Sequence, residues 1–308
     1  MSKTVVANAY GGPEVLEVID EDLPAPGPGQ VVVEMRAIGV NPIDYKLYSG
    51  AFGADPAQLP VRPGIEGSGV VVEVGDGTDV RVGEEVILYS GVGAYAERVL
   101  VSAGDVLPKP ESVPWDSAAG LLVAGGTAVD ALTVTRVGEG DVVVVQGAAG
   151  GVGELVVQLA AARGAIVVGV ARERHHDFLR GLGATPVEPG DGLPERIREI
   201  APDGVDAVID TVGTDDVVDA SLALGADRDR IVTIVAVERA QRDGFLWIGG
   251  GNENSDRIRR EARPVLVEMA GHGGLNVAVG TRFPLAEAAD AHRALRKPHA
   301  RGKFVLVP

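Results

Sequence analysis

Two patterns of hydrophobic and polar positions divide the chain. Up to about residue 115, short Val/Ile runs alternate with Gly- and Pro-rich breaks. Residues 31–34, 69–74, 85–88 and 97–101 read as strands, because β-branched residues bounded by turn formers suit a pleated, half-buried surface. Pro26-Gly27-Pro28-Gly29 and Gly75-Asp76-Gly77 are turn signals between them. Helical periodicity is scarce here. This part reads as a mostly β domain, built on a strongly bent sheet or partial barrel.

Near Pro114 the pattern changes. A helix is predicted over residues 116–136. Buried strands at 141–146, 165–171, 186–188, 206–211 and 230–235 then alternate with helices at 152–162, 175–182, 193–200 and 216–224. Near-continuous apolar strands between helices indicate a parallel sheet covered on both faces. Right-handed crossovers make that a doubly wound fold. After about residue 250 the alternation stops. Residues 256–270 and 286–296 read as helices, and 280–284 and 303–308 as extended. This remainder is short for a core of its own, so it is expected to complete the first domain. The predicted fold class is α/β. A Rossmann doubly wound parallel sheet spans residues 121–250, and a bent, mostly β domain is made from 1–120 and 251–308.

Composition changes the picture mainly by exclusion. The chain has 308 residues, 45% hydrophobic and 23% charged, which suits an ordinary globular protein. It has no Cys, which removes disulfides, zinc–thiolate sites, iron–sulfur clusters and a Cys nucleophile. The net charge of −16 repels phosphate backbones and anionic lipid, so neither nucleic acid nor membrane is expected as a partner. Basic residues are mostly Arg, with five Lys. That reads as genome composition, with a salt-adapted acidic surface as the other reading. Residues 1–10 lack a signal-peptide pattern, and Glu154 and Arg163 interrupt the most apolar region, 142–171. A cytoplasmic location is expected.

The sharpest chemical signal is Gly147-Ala148-Ala149-Gly150-Gly151-Val152-Gly153, which follows a predicted strand and opens a predicted helix. Its glycine spacing is a variant of the dinucleotide fingerprint. One glycine serves a tight turn, one a close approach to pyrophosphate, and one helix–strand packing. A glycine-rich turn with no ligand is the bland alternative. At the end of the second strand, Arg172 and Arg174 suit a 2′-phosphate, which favours NADPH. Glu173, turned inward, would instead bind the ribose of NAD.

Two enzyme classes are tested by absence. None of the five tyrosines has a Lys four residues later, so the Tyr-x-x-x-Lys pair of short-chain reductases is missing. The five histidines form no His-x-x-x-His pair. His272, His292 and His299 read as surface or cap residues.

Two further stretches stand out: Ile38-Gly39-Val40-Asn41-Pro42-Ile43-Asp44, leading to Tyr45, Tyr48 and Phe52, and Pro63-Gly64-Ile65-Glu66-Gly67-Ser68-Gly69. With the glycine loop, Gly125-Gly126-Thr127-Ala128, Asp210-Thr211-Val212-Gly213, Phe283-Pro284-Leu285 and Gly302-Lys303-Phe304, they form an ordered set. That set resembles the zinc-free quinone oxidoreductase (zeta-crystallin-like) branch of the medium-chain dehydrogenase/reductase superfamily, over essentially the whole chain. The resemblance implies a GroES-like catalytic domain, a Rossmann domain, and an active site in the cleft at the carboxyl ends of the parallel strands. Zinc-dependent relatives carry Cys at the position of Asn41 and His at that of Ile65, so no metal is implied. Without a Lewis acid, the chemistry that remains is hydride delivery to an acceptor that is already electrophilic, a quinone or α,β-unsaturated carbonyl.

The resemblance also implies roles. Gly150, Gly151 and Val152 hold the pyrophosphate, with Gly147, Ala149, Gly153 and Val212 in the same cofactor-binding set. Thr127 bonds the nicotinamide ribose or amide. Arg172 and Arg174 take the 2′-phosphate, although Ala171 replaces the usual Ser. Val235 and Ala236 flank the nicotinamide, and Asn41 faces nicotinamide or substrate. Ile43, Tyr45, Tyr48, Phe52, Ile65 and Trp247 could wall an aromatic substrate. Related 2-enoyl thioester reductases use a Tyr donor where Phe52 stands, so that activity is the runner-up, with Tyr45 or Tyr48 as replacement donors. A non-catalytic NADPH-binding protein is the other alternative. A homodimer through edge strands at 231–235 and 244–248 is expected.

Overall fold

The computed structural model describes residues 1–297 and 301–308. His299 lies outside the described residues. The chain divides into two compact units, Met1–Val123 with Val267–Pro308, and Ala124–Leu266.

The unit Ala124–Leu266 holds a six-stranded sheet. From edge to edge its strands are Thr185–Val187, Ile166–Val170, Val142–Gln146, Ala207–Asp210, Ile231–Thr233 and Leu246–Trp247. Every pairing is parallel. The strand order reverses between Val142–Gln146 and Ala207–Asp210, which is the switch point where such sheets bind ligands. The near-continuous Val/Ile pattern arises because Val144, Val168, Val208, Ile209 and Val232 are covered on both faces. The expected edge at 231–235 is corrected. Ile231–Thr233 is paired on both sides, because Leu246–Trp247 adds outside it.

The other unit carries a seven-stranded, mainly antiparallel sheet. Gln30–Val40 is its hub, pairing with Glu66–Val74, Arg98–Ser102 and Lys303–Val307. Glu85–Tyr89 and Val106–Pro108 extend one side, and Val279–Pro284 the other. Its core includes Val33, Ile38, Leu88, Tyr95 and Leu306. A separate hairpin, Ser2–Ala7 with Leu16–Glu21, is an addition to the sequence prediction.

Two helical predictions change. Gly120 splits the expected helix 116–136 into Trp115–Ala119 and Leu121–Val134. Residues Pro42–Ser49, where no helix is expected from the sequence pattern, are a helix. The start signals are present: Asn41 before the helix, Pro42 at its first position and Asp44 at its third. Among the described residues no helix is long and apolar enough to cross a membrane.

Candidate functional site

The glycine loop lies between the strand Val142–Gln146 and the helix Gly153–Ala162. Gly147 has φ +72°, and a Cβ there would lie 2.6 Å from Thr211 Oγ1. A Cβ on Gly153 would lie 2.2 Å from the Gly147 carbonyl oxygen, which is backbone and cannot step aside. No side chain caps the helix; the Glu154 and Leu155 N–H groups are bonded to the Gly150 and Val152 carbonyls, which leaves the N–H groups of Gly151, Val152 and Gly153 for an anion. The loop therefore fits a pyrophosphate. Gly153→Ala is expected to lower the melting temperature by several degrees, from about 1–3 kcal/mol of overpacking, and to weaken nucleotide binding. A thermal melt and a nucleotide titration check both.

Two more loops at this end are fixed by one buried carboxylate. Asp210 is 1% exposed. Its Oδ1 accepts the N–H groups of Val212 and Gly213 at 2.8 and 2.9 Å. Its Oδ2 accepts the Thr233 hydroxyl at 2.7 Å. The same Thr233 oxygen accepts the N–H groups of Val235 and Ala236 at 3.2 and 3.0 Å. The backbone of these loops is thus rigid, while the Val212 and Val235 side chains stay exposed. Sequence reasoning missed Asp210 and Thr233 as organisers. The available signal was a carboxylate closing a buried strand just before Thr211-Val212-Gly213.

Arg172, Glu173 and Arg174 are exposed beyond the strand Ile166–Val170. Arg172 has no ion-pair partner among the described residues, whereas Arg174 Nε contacts the His175 ring at 3.2 Å. Thr127 lies on the helix Leu121–Val134 and is 9% exposed. Trp247 is half-buried and packs on the core of this unit, apart from the unit that holds the other proposed wall residues.

In the β unit, Asn41 precedes the helix Pro42–Ser49, but its side chain does not cap it. The Asp44 carboxylate instead accepts the Asn41 N–H at 2.7 Å. The Asn41 amide is left for other partners. Its Nδ2 donates to Glu66 Oε1 at 2.9 Å, and its Oδ1 accepts from the Lys303 ammonium. Glu66 is wholly buried, and its Oε2 accepts the Val123 N–H at 2.8 Å. Ile65, next to Glu66, is buried, Ile43 is half-buried, and Phe52 is exposed. In the second stretch, Gly64 has φ +90°, and a Cβ there would overlap the Tyr95 ring.

A second polar cluster lies inside this unit. His292, expected as a surface or cap residue, is wholly buried. Its helix, Ala288–Leu295, turns Ala288, Ala291 and His292 inward. The imidazole stacks on Tyr48 and meets Tyr95 edge-on. Its Nδ1 is bonded to the Tyr48 hydroxyl, and its Nε2 lies 2.9 Å from the Tyr95 hydroxyl. Tyr95 donates to Asp44 at 3.0 Å. One arrangement of protons satisfies the chain. Tyr48 donates to Nδ1, Nε2–H donates to Tyr95, and Tyr95 donates to Asp44, with His292 neutral. Burial pushes His292 down to about 4 and Asp44 up to about 7. It also raises both phenols. Tyr48, a candidate donor by sequence, thus has its hydroxyl committed within the core. Tyr45 is half-buried, with the Arg296 guanidinium over its ring.

Residues 27–111 match the family model of the alcohol dehydrogenase GroES-like domain, and residues 182–306 that of the zinc-binding dehydrogenase. The chain is 31% identical over 330 residues to the quinone oxidoreductase of Pseudomonas aeruginosa, spanning 100% of both. The chain belongs to the quinone oxidoreductase family of the medium-chain dehydrogenase/reductase superfamily. The chloroplastic NADPH-dependent alkenal/one oxidoreductase of Arabidopsis thaliana is 30% identical over 324 residues, covering 99% of this chain and 79% of its own length. The solved Escherichia coli quinone oxidoreductase, complexed with NADPH, superposes with a TM-score of 0.85 at 27% identity, covering 99% of this chain and 100% of that one. The chain has no Cys, and the described residues hold no group of three or more His, Asp or Glu suited to a metal.

Proposed function

We propose that this quinone oxidoreductase family member is a zinc-independent, NADPH-dependent reductase of quinones or other α,β-unsaturated carbonyls. The observation that carries the reading is the glycine cradle with two exposed arginines at the end of the neighbouring strand. NADPH, when bound, supplies the hydride. The loop from Gly147 through Ala149, Gly150, Gly151 and Val152 to Gly153 offers N–H groups to the pyrophosphate. Arg172 and Arg174 pair with the 2′-phosphate. Thr127, Val212, Val235 and Ala236 serve the nicotinamide end, the last three on loops held by Asp210 and Thr233.

In the β unit, Asn41 serves the acceptor, with Ile43, Ile65 and Phe52 as apolar contacts. A quinone needs no protein acid after hydride transfer, because its reduced anion takes a proton from water. The burial of the Tyr48 hydroxyl, with Phe52 unable to donate, favours such acceptors over 2-enoyl thioesters. The net charge of −16 supports a protein that avoids nucleic acid and anionic membrane, and the cytoplasm is the compartment we assign to it. The unpaired side of Leu246–Trp247 is the contact we assign to a homodimer.

The test is loss of the reduced-nicotinamide absorbance, with NADPH and then NADH, against quinones, enones and simple alcohols. The expected result is faster oxidation of NADPH than NADH with quinones or enones, and no oxidation of alcohols with NADP⁺. Faster turnover with NADH would assign Glu173 to the ribose and overturn the arginine reading. Binding of NADPH without turnover on any acceptor would replace the reductase with a binding protein.

A further inference from the structure

Lys303 is 6% exposed, and its Nζ faces three oxygens: Val40 O at 3.4 Å, Glu66 Oε1 at 3.3 Å and Asn41 Oδ1. An ammonium has three N–H donors, so this environment can saturate it. Glu66 Oε1 in turn accepts from Asn41 Nδ2. The Asn41 amide therefore lies between a buried cation on its oxygen side and a buried anion on its nitrogen side. Turning it over would set NH₂ against ammonium and C=O against carboxylate. An amide whose two ends look alike to most neighbours is here held in one sense by charge.

We propose that Lys303 is a positioning residue that locks the Asn41 amide, so that its second Nδ2 hydrogen is presented as a donor to the carbonyl oxygen of the acceptor. This rests on the assignment of Asn41 to the acceptor. The ammonium also draws electron density from the amide oxygen, which strengthens the N–H as a donor. Lys303 touches no substrate in this scheme and acts through Asn41 alone.

Removing Lys303 by itself would strand the Glu66 charge, and loss of folding would then hide any loss of positioning. The informative variant is Lys303→Met with Glu66→Gln, which is neutral at both positions. The new amide can accept the Val123 N–H and donate to Asn41 Oδ1, which holds the Asn41 amide in the reverse sense. The double variant is expected to melt within a few degrees of the wild type. Its kcat should fall about 10- to 100-fold, the scale of one charge-assisted hydrogen bond, with KM for NADPH unchanged. The Asn41 side-chain amide should give one well-dispersed, exchange-protected proton pair by NMR in the wild type, and a shifted or averaged pair in the variant. Wild-type kcat with an unmoved Asn41 signal would overturn the proposal and leave Lys303 as a charge balance only. If the double variant does not fold, Lys303→Ala folded in the presence of propylammonium, which restores a cation beside Glu66, takes its place, and the amine is then dialysed away and added back. Dose-dependent recovery of kcat supports the proposal, and a folded variant with wild-type kcat and no amine overturns it. Asn41→Ala separates the two claims. Full activity there removes the assignment of Asn41 itself, whereas impaired Asn41→Ala beside a fully active double variant removes only the role of Lys303.

Discussion

Replacing Arg172 and Arg174 together with Ala is expected to raise KM for NADPH by about 100-fold or more, and to leave KM for NADH within about threefold. Each guanidinium–phosphate pair contributes about 1.5–3 kcal/mol, since both partners are charged and the geometry can be bidentate. NADH has no phosphate there, so it loses nothing. Arg172 is exposed, without an ion-pair partner among the described residues, so binding breaks no existing ion pair of that residue. Glu173 provides the internal control. With its neighbours removed, the carboxylate is free to meet a ribose, and NADH use should hold steady or improve. Equal losses with both nucleotides would place the arginines outside the cofactor site. Saturation kinetics with each nucleotide at a fixed quinone concentration decide this.

The second large effect concerns stability, and it has opposite signs in two variants. His292 is pushed down from 6.5 to about 4 by burial. Its contribution is fully present above the unfolded value and is lost as pH falls through the folded one. Asp44 is raised from 3.8 to about 7, chiefly by burial, against the opposing hydrogen bond from the Asn41 N–H. Its contribution is fully present at low pH and is lost as pH rises through the folded value. Between about pH 4 and 6.5 the two trends oppose each other, each on the order of a few kcal/mol. Relative to the wild type, His292→Gln should lose stability steadily as pH rises across that window, because it lacks the gain that His292 gives the wild type. Asp44→Asn should instead gain stability as pH rises. Urea midpoints measured every half unit of pH, and read as differences from the wild type, cancel the titration of the exposed carboxylates. Two variants that both run parallel to the wild type would show that this core cluster does not titrate in the folded protein.

The nucleotide unit was legible because its physics is local. Each buried strand is a short Val/Ile run beside its helix, and the four glycines from Gly147 to Gly153 lie within seven residues. The obligatory character of Gly153 follows from a contact with Gly147, six positions away. The β unit was less legible, because its chemistry is assembled from distant segments. Lys303 and Glu66 are separated by 237 positions, and Tyr48 and His292 by 244. A single His on an Ala-rich helix gives no sign that two phenols will enclose it. The helix Pro42–Ser49 did carry a signal in Asn41, Pro42 and Asp44. That signal was outweighed by a weak apolar periodicity over only eight residues. The hairpin from Ser2 was hidden for a related reason. Ser2 and Thr4 are buried with Val5 and Val6, so polar side chains occupy inward positions and blur the alternation.

The most direct measurement follows the hydride itself. NADPH deuterated at the transferred position is turned over with an α,β-unsaturated ketone, and the product is read by mass and NMR. The predicted result is one deuterium at the β-carbon, a solvent proton at the α-carbon and a slower rate than with unlabelled NADPH. The contradicting result is tight NADPH binding with no deuterium in the product of any enone and no reduction of any quinone.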